Sequence, residues 1–185
     1  MNVRFPDYPD DFPIIYDLAG FVDENSHSVA SAVEACDLAI VPINNEWKAL
    51  EHGVNSIHQI RRFDKPVLVI ATKLKKTGRE IFPKDEWTQS KAFKTIEETV
   101  HNANSPDIPV LPLKESAAFD TIFAMEQSIR QICETDPTRA SNWKGVNAQM
   151  EAIYAFIDNM RVPLSINSRP GTYQLEQNNS VMSAH

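Results

Sequence analysis

The sequence predicts an α/β fold, a doubly wound and mainly parallel sheet with helices on both faces. Three observations lead there. Short apolar runs without polar alternation recur along the chain, as they do in strands buried on both faces. Stretches with apolar residues at helical spacing separate these runs, and parallel neighbours need such a crossover. Of the 185 residues, 42% are hydrophobic and 23% charged, a balance that suits one domain with a sizeable core.

An acidic lead with Pro6, Asp7, Pro9, Asp10 and Asp11 precedes the run Phe12-Pro13-Ile14-Ile15-Tyr16, read as a buried strand that ends at Asp17. Val29, Ala32, Val33 and Cys36 then recur at helical spacing, with Ser26 or Ser28 as the N-cap. Leu38-Ala39-Ile40-Val41-Pro42-Ile43 is the second strand. Asn44 and Asn45 follow as caps for a helix striped by Trp47, Leu50, Val54, Ile57 and Ile60. Pro66-Val67-Leu68-Val69-Ile70-Ala71 forms the third strand and closes at Thr72-Lys73. A basic loop with Lys73, Lys75, Lys76 and Arg79 leads to a helix over 85–102. A fourth strand over 108–113 and helices over 116–134 and 142–160 complete the order. Residues 1–162 are thus expected to form one domain. Residues 163–185, rich in Ser, Asn and Gln without periodicity, read as a flexible tail.

Composition narrows the function classes. The net charge of −7 argues against a chain-wide basic surface for DNA or anionic membrane. No run approaches the roughly 18 apolar residues of a membrane span, and the first residues lack a signal-peptide core. The expected location is cytoplasmic. Cys36 and Cys133 fall in predicted helices without metal-ligand spacing and read as buried thiols. His52 and His58, at i and i+6, do not share a helix face, which speaks against a histidine metal cage. Trp47, Trp87 and Trp143 read as helix packing rather than stacking platforms.

In a doubly wound sheet, ligand chemistry gathers at the carboxyl ends of the strands. Those ends are Asp17, Ile43-Asn44, Thr72-Lys73 and Leu113-Lys114. Asp17-Leu18-Ala19-Gly20 is the sharpest local signal. A carboxylate at a strand tip can hold Mg²⁺ or its water, and a glycine lets a backbone N–H approach a γ-phosphate. The plainer reading is a turn, with Asp17 as its cap and Gly20 supplying a positive φ.

The ordered set of Ile14-Ile15-Tyr16-Asp17-Leu18-Ala19-Gly20, Cys36-Asp37-Leu38-Ala39-Ile40-Val41-Pro42-Ile43 and Pro66-Val67-Leu68-Val69-Ile70-Ala71-Thr72-Lys73 resembles the middle of the ParA/MinD family of partition and positioning ATPases. Residues 108–113 and the following helix are similar to that family's last strand and helix, so the resemblance spans roughly residues 12–135. It implies ATP and Mg²⁺ as cofactors and plasmid or chromosome partition as the role. Asp17 would then be the catalytic and metal-side carboxylate and Gly20 the γ-phosphate sensor. Thr72, Lys73 and Lys114 would be cofactor-binding. It also implies a homo-oligomer or partner chain, with DNA or a DNA-binding adaptor as a further partner.

One departure stands out. The family builds its ATP site on an N-terminal G-K-G-G-x-G-K-[ST] loop, and this sequence contains no such segment; Gly20, Gly53, Gly78, Gly145 and Gly171 are all isolated. The expectation is a truncated P-loop NTPase-like chain that binds ATP weakly or not at all by itself. Such a chain would associate through the strand edge at residues 12–17 and hydrolyse ATP only with a P-loop from elsewhere. The order Asp17–Gly20, Thr72-Lys73, Ser116-Ala117 also resembles the GTPase series D-x-x-G, [NT]-K-x-D, S-A. Lys75 stands where the guanine-reading aspartate belongs, and a lysine accepts no hydrogen bond from guanine. A phospho-receiver with Asp17, Thr72 and Lys114 is disfavoured by the extra strand and helix between Asp17 and Thr72. The remaining alternative is a non-catalytic protein-interaction module derived from the same fold.

Overall fold

A computed structural model describes residues 14–18, 27–83, 85–103 and 105–160. The elements in order are α1 (His27–Ala35), β1 (Ala39–Ile43), α2 (Trp47–Arg61), β2 (Val67–Leu74), a 3-10 turn (Trp87–Gln89), α3 (Lys91–Asn102), β3 (Val110–Lys114), α4 (Ala118–Met125), α5 (Ile129–Thr135) and α6 (Pro137–Met160). The three strands form one open sheet in the order β1-β2-β3, parallel throughout. Parallel strands with helical crossovers are an α/β arrangement.

Val41, Ile43, Val67, Val69 and Ala71 share one face of the sheet. There they pack into a single core with Leu50, Ile57 and Ile60 of α2, Phe93, Ile96 and Val100 of α3, and Val29 and Val33 of α1. Side chains alternate between faces along a strand, so Ile40, Pro42, Leu68, Ile70 and Leu111 occupy the other. Near β3 that side is closed by a second cluster, in which Leu113 packs against Ala118, Ile129 and Val146 of α4, α5 and α6. Over β1 it is open: Ile40 is 44% exposed.

Both outer edges carry a proline at an outward position. Ala39 N–H donates to Pro66 C=O, so by alternation the backbone of Pro42 faces away from β2. Val69 N–H donates to Pro109 C=O, and the same alternation turns Pro112 of β3 outward. Proline has no N–H to offer a ladder and is tolerated in a strand at such edge positions.

The first strand departs from expectation. Residues 14–18 carry no strand, and Ile15 is 93% exposed. An extended segment is stable only when its N–H and C=O groups find a partner. The free edge of β1, with no donor at Pro42, offers a poor ladder. The rest of the predicted run, together with the acidic lead and residues 163–185, lies outside the described residues.

The helix expected over 116–134 is two helices. Glu126 is left-handed, with φ 52°, which ends α4. Ser128 then starts α5 through a full capping box, its hydroxyl accepting from Gln131 N–H while Gln131 Oε1 accepts from Ser128 N–H. The final helix begins at Pro137, earlier than its apolar stripe indicates. Asp136 caps it by accepting the N–H groups of Thr138 and Arg139, each at 3.0 Å, and proline suits the first helical position. Among the described residues, no helix is long and apolar enough to cross a membrane.

Candidate functional site at the strand ends

The carboxyl ends of β2 and β3 lie side by side, and the ladder between them is irregular. Ala71 pairs with Pro112 and Leu74 with Lys114, so β2 spends one residue more than β3 over this stretch. The extra residue is absorbed by Lys73 in the left-handed region, φ 54°. Such bulges bend a strand locally and re-aim its side chains. Thr72 is half-buried and Lys73 exposed.

Beyond the bulge the two loops are tied together. Glu115 N–H donates to Leu74 C=O at 3.0 Å, and Lys75 Nζ pairs with Glu115 Oε2 at 2.7 Å. Ser116 Oγ accepts from Ala118 N–H at the start of α4. The structure therefore brings Thr72, Lys73 and Lys114 to one end of the sheet, as their strand-end positions require. Lys75, at the guanine-reading position of the GTPase pattern, is held by a carboxylate of the neighbouring loop.

Lys114 sits in a built setting. Its backbone N–H donates to Gln149 Oε1 of α6 at 3.0 Å. Its ammonium runs along α6 to Gly145, where a Cβ would stand 2.5 Å from Nζ. The Asp85 carboxylate lies 3.6 Å from that ammonium, and the Lys114 side chain is only 18% exposed. Gln149 is 8% exposed, and its Nε2 is buried without a hydrogen-bond partner among the described residues.

The sequence does not connect Asp85, Gly145 and Gln149 with Lys114. A glycine inside a helix and a glutamine beside the apolar stripe of Val146, Met150 and Ile153 are the signals that could have marked them.

The loop between β2 and α3 folds over this end. Lys76 Nζ donates to Phe82 C=O at 3.2 Å and lies 4.0 Å from the centre of the Phe82 ring. Phe82 meets Trp87 edge-on at 5.5 Å. The Glu80 carboxylate accepts from Thr77 N–H and Lys91 N–H, and from the Thr77 hydroxyl. These bonds hold its pKa below the ordinary glutamate value, the two backbone donors contributing most. Ser90, fully buried, caps α3 by accepting from Phe93 N–H.

Asp17 is exposed on a segment without strand structure, so it does not stand at a strand tip; Gly20 lies outside the described residues. Among the described residues, no group of three or more His, Cys, Asp and Glu is arranged to hold a metal. Cys36 and Cys133 are half-buried, and burial pushes both thiols above their ordinary pKa. A cavity of about 360 Å³ opens at the opposite end of the sheet, between Arg61, Lys65, Val67, Asp107, Ile108 and Met160. It is walled by the Arg61–Asp107 pair and faces the amino ends of the strands. No protein-family profile, curated protein or solved structure matches this chain.

Proposed function

We propose that this chain is the part of a ParA/MinD-type partition or positioning ATPase that faces the nucleotide base. In this reading the sheet belongs to a doubly wound, P-loop NTPase-like fold. ATP and Mg²⁺ are its cofactors, and Thr72, Lys73 and Lys114 approach the nucleotide. Asp17 and Gly20 serve the metal and γ-phosphate side, together with a P-loop supplied from outside these residues. The partners are a second copy or another chain, with DNA or a DNA-binding adaptor as cargo, in the cytoplasm. One observation carries the reading: the loops holding Thr72-Lys73 and Lys114-Glu115-Ser116 are joined at the carboxyl ends of adjacent parallel strands, beside a bulge. Open α/β sheets bind ligands outside the carboxyl ends of their strands, where the strand order reverses; the described order β1-β2-β3 has no reversal, so this reading places the reversal at strands beyond the described residues.

Photo-crosslinking with millimolar 8-azido-ATP and Mg²⁺, followed by peptide mapping, tests it. Label concentrated on residues 72–76 and 113–117 is the expected result. Label spread evenly, or none, removes the nucleotide reading.

A second reading, the non-catalytic interaction module, is favoured by apolar surface left open around β1. Ile40 is 44% exposed there, and Trp47 is 78% exposed at the start of α2. Apolar residues that join into one exposed patch mark contact sites, and in this reading Ile40 and Trp47 belong to such a patch. Absence of azido label combined with a concentration-dependent increase in mass selects it.

A further inference from the structure

We propose that Lys114, Gln149 and Gly145 form a phosphate-binding site at the end of β3, in which Asp85 stands in for the ligand. The inference deepens the nucleotide reading and rests on it only for the source of the phosphate. The site itself rests on its own geometry.

A lysine removed from most of its water needs an anion. The Asp85 carboxylate is 3.6 Å from Nζ, whereas a well-formed ammonium–carboxylate hydrogen bond is about 2.8 Å long. Asp85 therefore supplies charge without a good bond. Gln149 supplies the second observation. Its amide is fixed in place because Oε1 already accepts from Lys114 N–H, which leaves Nε2 buried with no acceptor among the described residues. An orphaned buried donor of this kind costs stability unless something fills the need.

The glycine completes the site. Gly145 and Gln149 are one turn apart on α6, so they face the same way, and any side chain at 145 would occupy the place where the ammonium and the Asp85 carboxylate meet. A group with several acceptor oxygens fits the two donors better than one carboxylate does. Phosphate has that form, and Lys73 and Lys75 on the adjoining loop add positive charge against Glu115. Binding displaces Asp85 and so loosens the 75–90 loop from α6.

The test is calorimetry with sodium pyrophosphate on the full chain, comparing the unmodified protein with Asp85→Asn, Lys114→Met and Asp107→Asn. Asp85→Asn removes the competing charge while keeping a side chain of the same size; with folding checked by circular dichroism, it should tighten binding about threefold or more. Lys114→Met should weaken binding about tenfold or more, the loss of one charge-assisted contact. Asp107→Asn makes the same charge change at the far end of the sheet and should leave affinity unaltered. The proposal is overturned if Asp85→Asn binds no tighter, if Asp107→Asn tightens equally, if Lys114→Met binds unchanged, or if neither the unmodified chain nor Asp85→Asn binds. In a parallel titration, tighter binding of ATP than of pyrophosphate assigns the phosphate to a nucleotide. Equal binding assigns it to a free phosphate; both support the site. An Asp85→Asn effect without azido label removes the nucleotide reading and leaves the site standing.

Discussion

Gly53→Ala is expected to destabilise the chain, although alanine is the better helix former. Gly53 is buried inside α2, against β1. A Cβ there would stand 2.6 Å from Ile43 Cγ1 and closer still to Cδ1. Real Cβ contacts do not come so near, and Ile43 has no exposed surface into which to move. Because Cγ1 is involved, turning the outer methyl alone does not relieve the clash, and β-branched side chains are stiff at χ1. Alanine gains about 1 kcal/mol of helix propensity, while overpacking a filled core costs about 1–3 kcal/mol. The net is a loss of about 1 kcal/mol, which lowers Tm by roughly 2–4 °C in a chain of this size.

Ile43→Ala supplies the control. It removes Cγ1 and Cδ1, costs about 2–5 kcal/mol by itself, and opens the space that a methyl group at position 53 needs. In that background Gly53→Ala should stabilise by about 1 kcal/mol, because the propensity gain remains and the clash is gone. Urea unfolding of the four proteins in the cycle gives both numbers. The packing argument is refuted if Gly53→Ala stabilises the unmodified chain, or if its effect is the same in both backgrounds.

Lys73→Gly should raise stability by up to about 1 kcal/mol, since the bulge holds residue 73 in the left-handed region that glycine adopts without a Cβ penalty; a clear loss in thermal melts would show that the lysine side chain anchors the bulge. Glu80 has its pKa lowered in the fold, so its contribution is present above the ordinary glutamate range and is lost as pH falls through the depressed folded value. Trypsin cleavage at Arg79 should accordingly quicken in Glu80→Gln at neutral pH, and unchanged cleavage would show that the Thr77 and Lys91 bonds do not hold the loop. Ile15→Lys should reduce self-association in sedimentation without moving Tm, because Ile15 is already 93% exposed. A change in Tm would place Ile15 in the folded core, and unchanged association would exclude it from a contact. Both thiols are raised by burial, so alkylation of Cys36 and Cys133 at neutral pH should lag behind a free cysteine; equal rates would contradict that burial.

The sequence by itself determined the alternation of strands and helices from residue 27 to residue 160, and with it the parallel sheet. The apolar runs around Val41, Val69 and Leu111 have no polar face, which marked them as parallel strands joined by the helical stripes between them; burial on both faces holds for most of β2, while Ile40 and Pro42 leave one face of β1 exposed. The placement of Thr72, Lys73 and Lys114 at one end of the sheet was legible because strand-end positions follow from strand assignments alone.

Other features required the third dimension. Phe12-Pro13-Ile14-Ile15-Tyr16 has the same local pattern as the true strands, yet residues 14–18 carry no strand: a strand exists only with a partner, and both outer edges of the described sheet turn a proline outward. The break at Glu126 is hidden by an apolar pattern that continues past it. Asp85, Gly145 and Gln149 converge on Lys114 from loop and helix positions far from it along the chain. Periodicity reports which face of an element is apolar. Which distant groups meet at the end of a strand is decided by how the helices cross the sheet, and only the tertiary structure contains that.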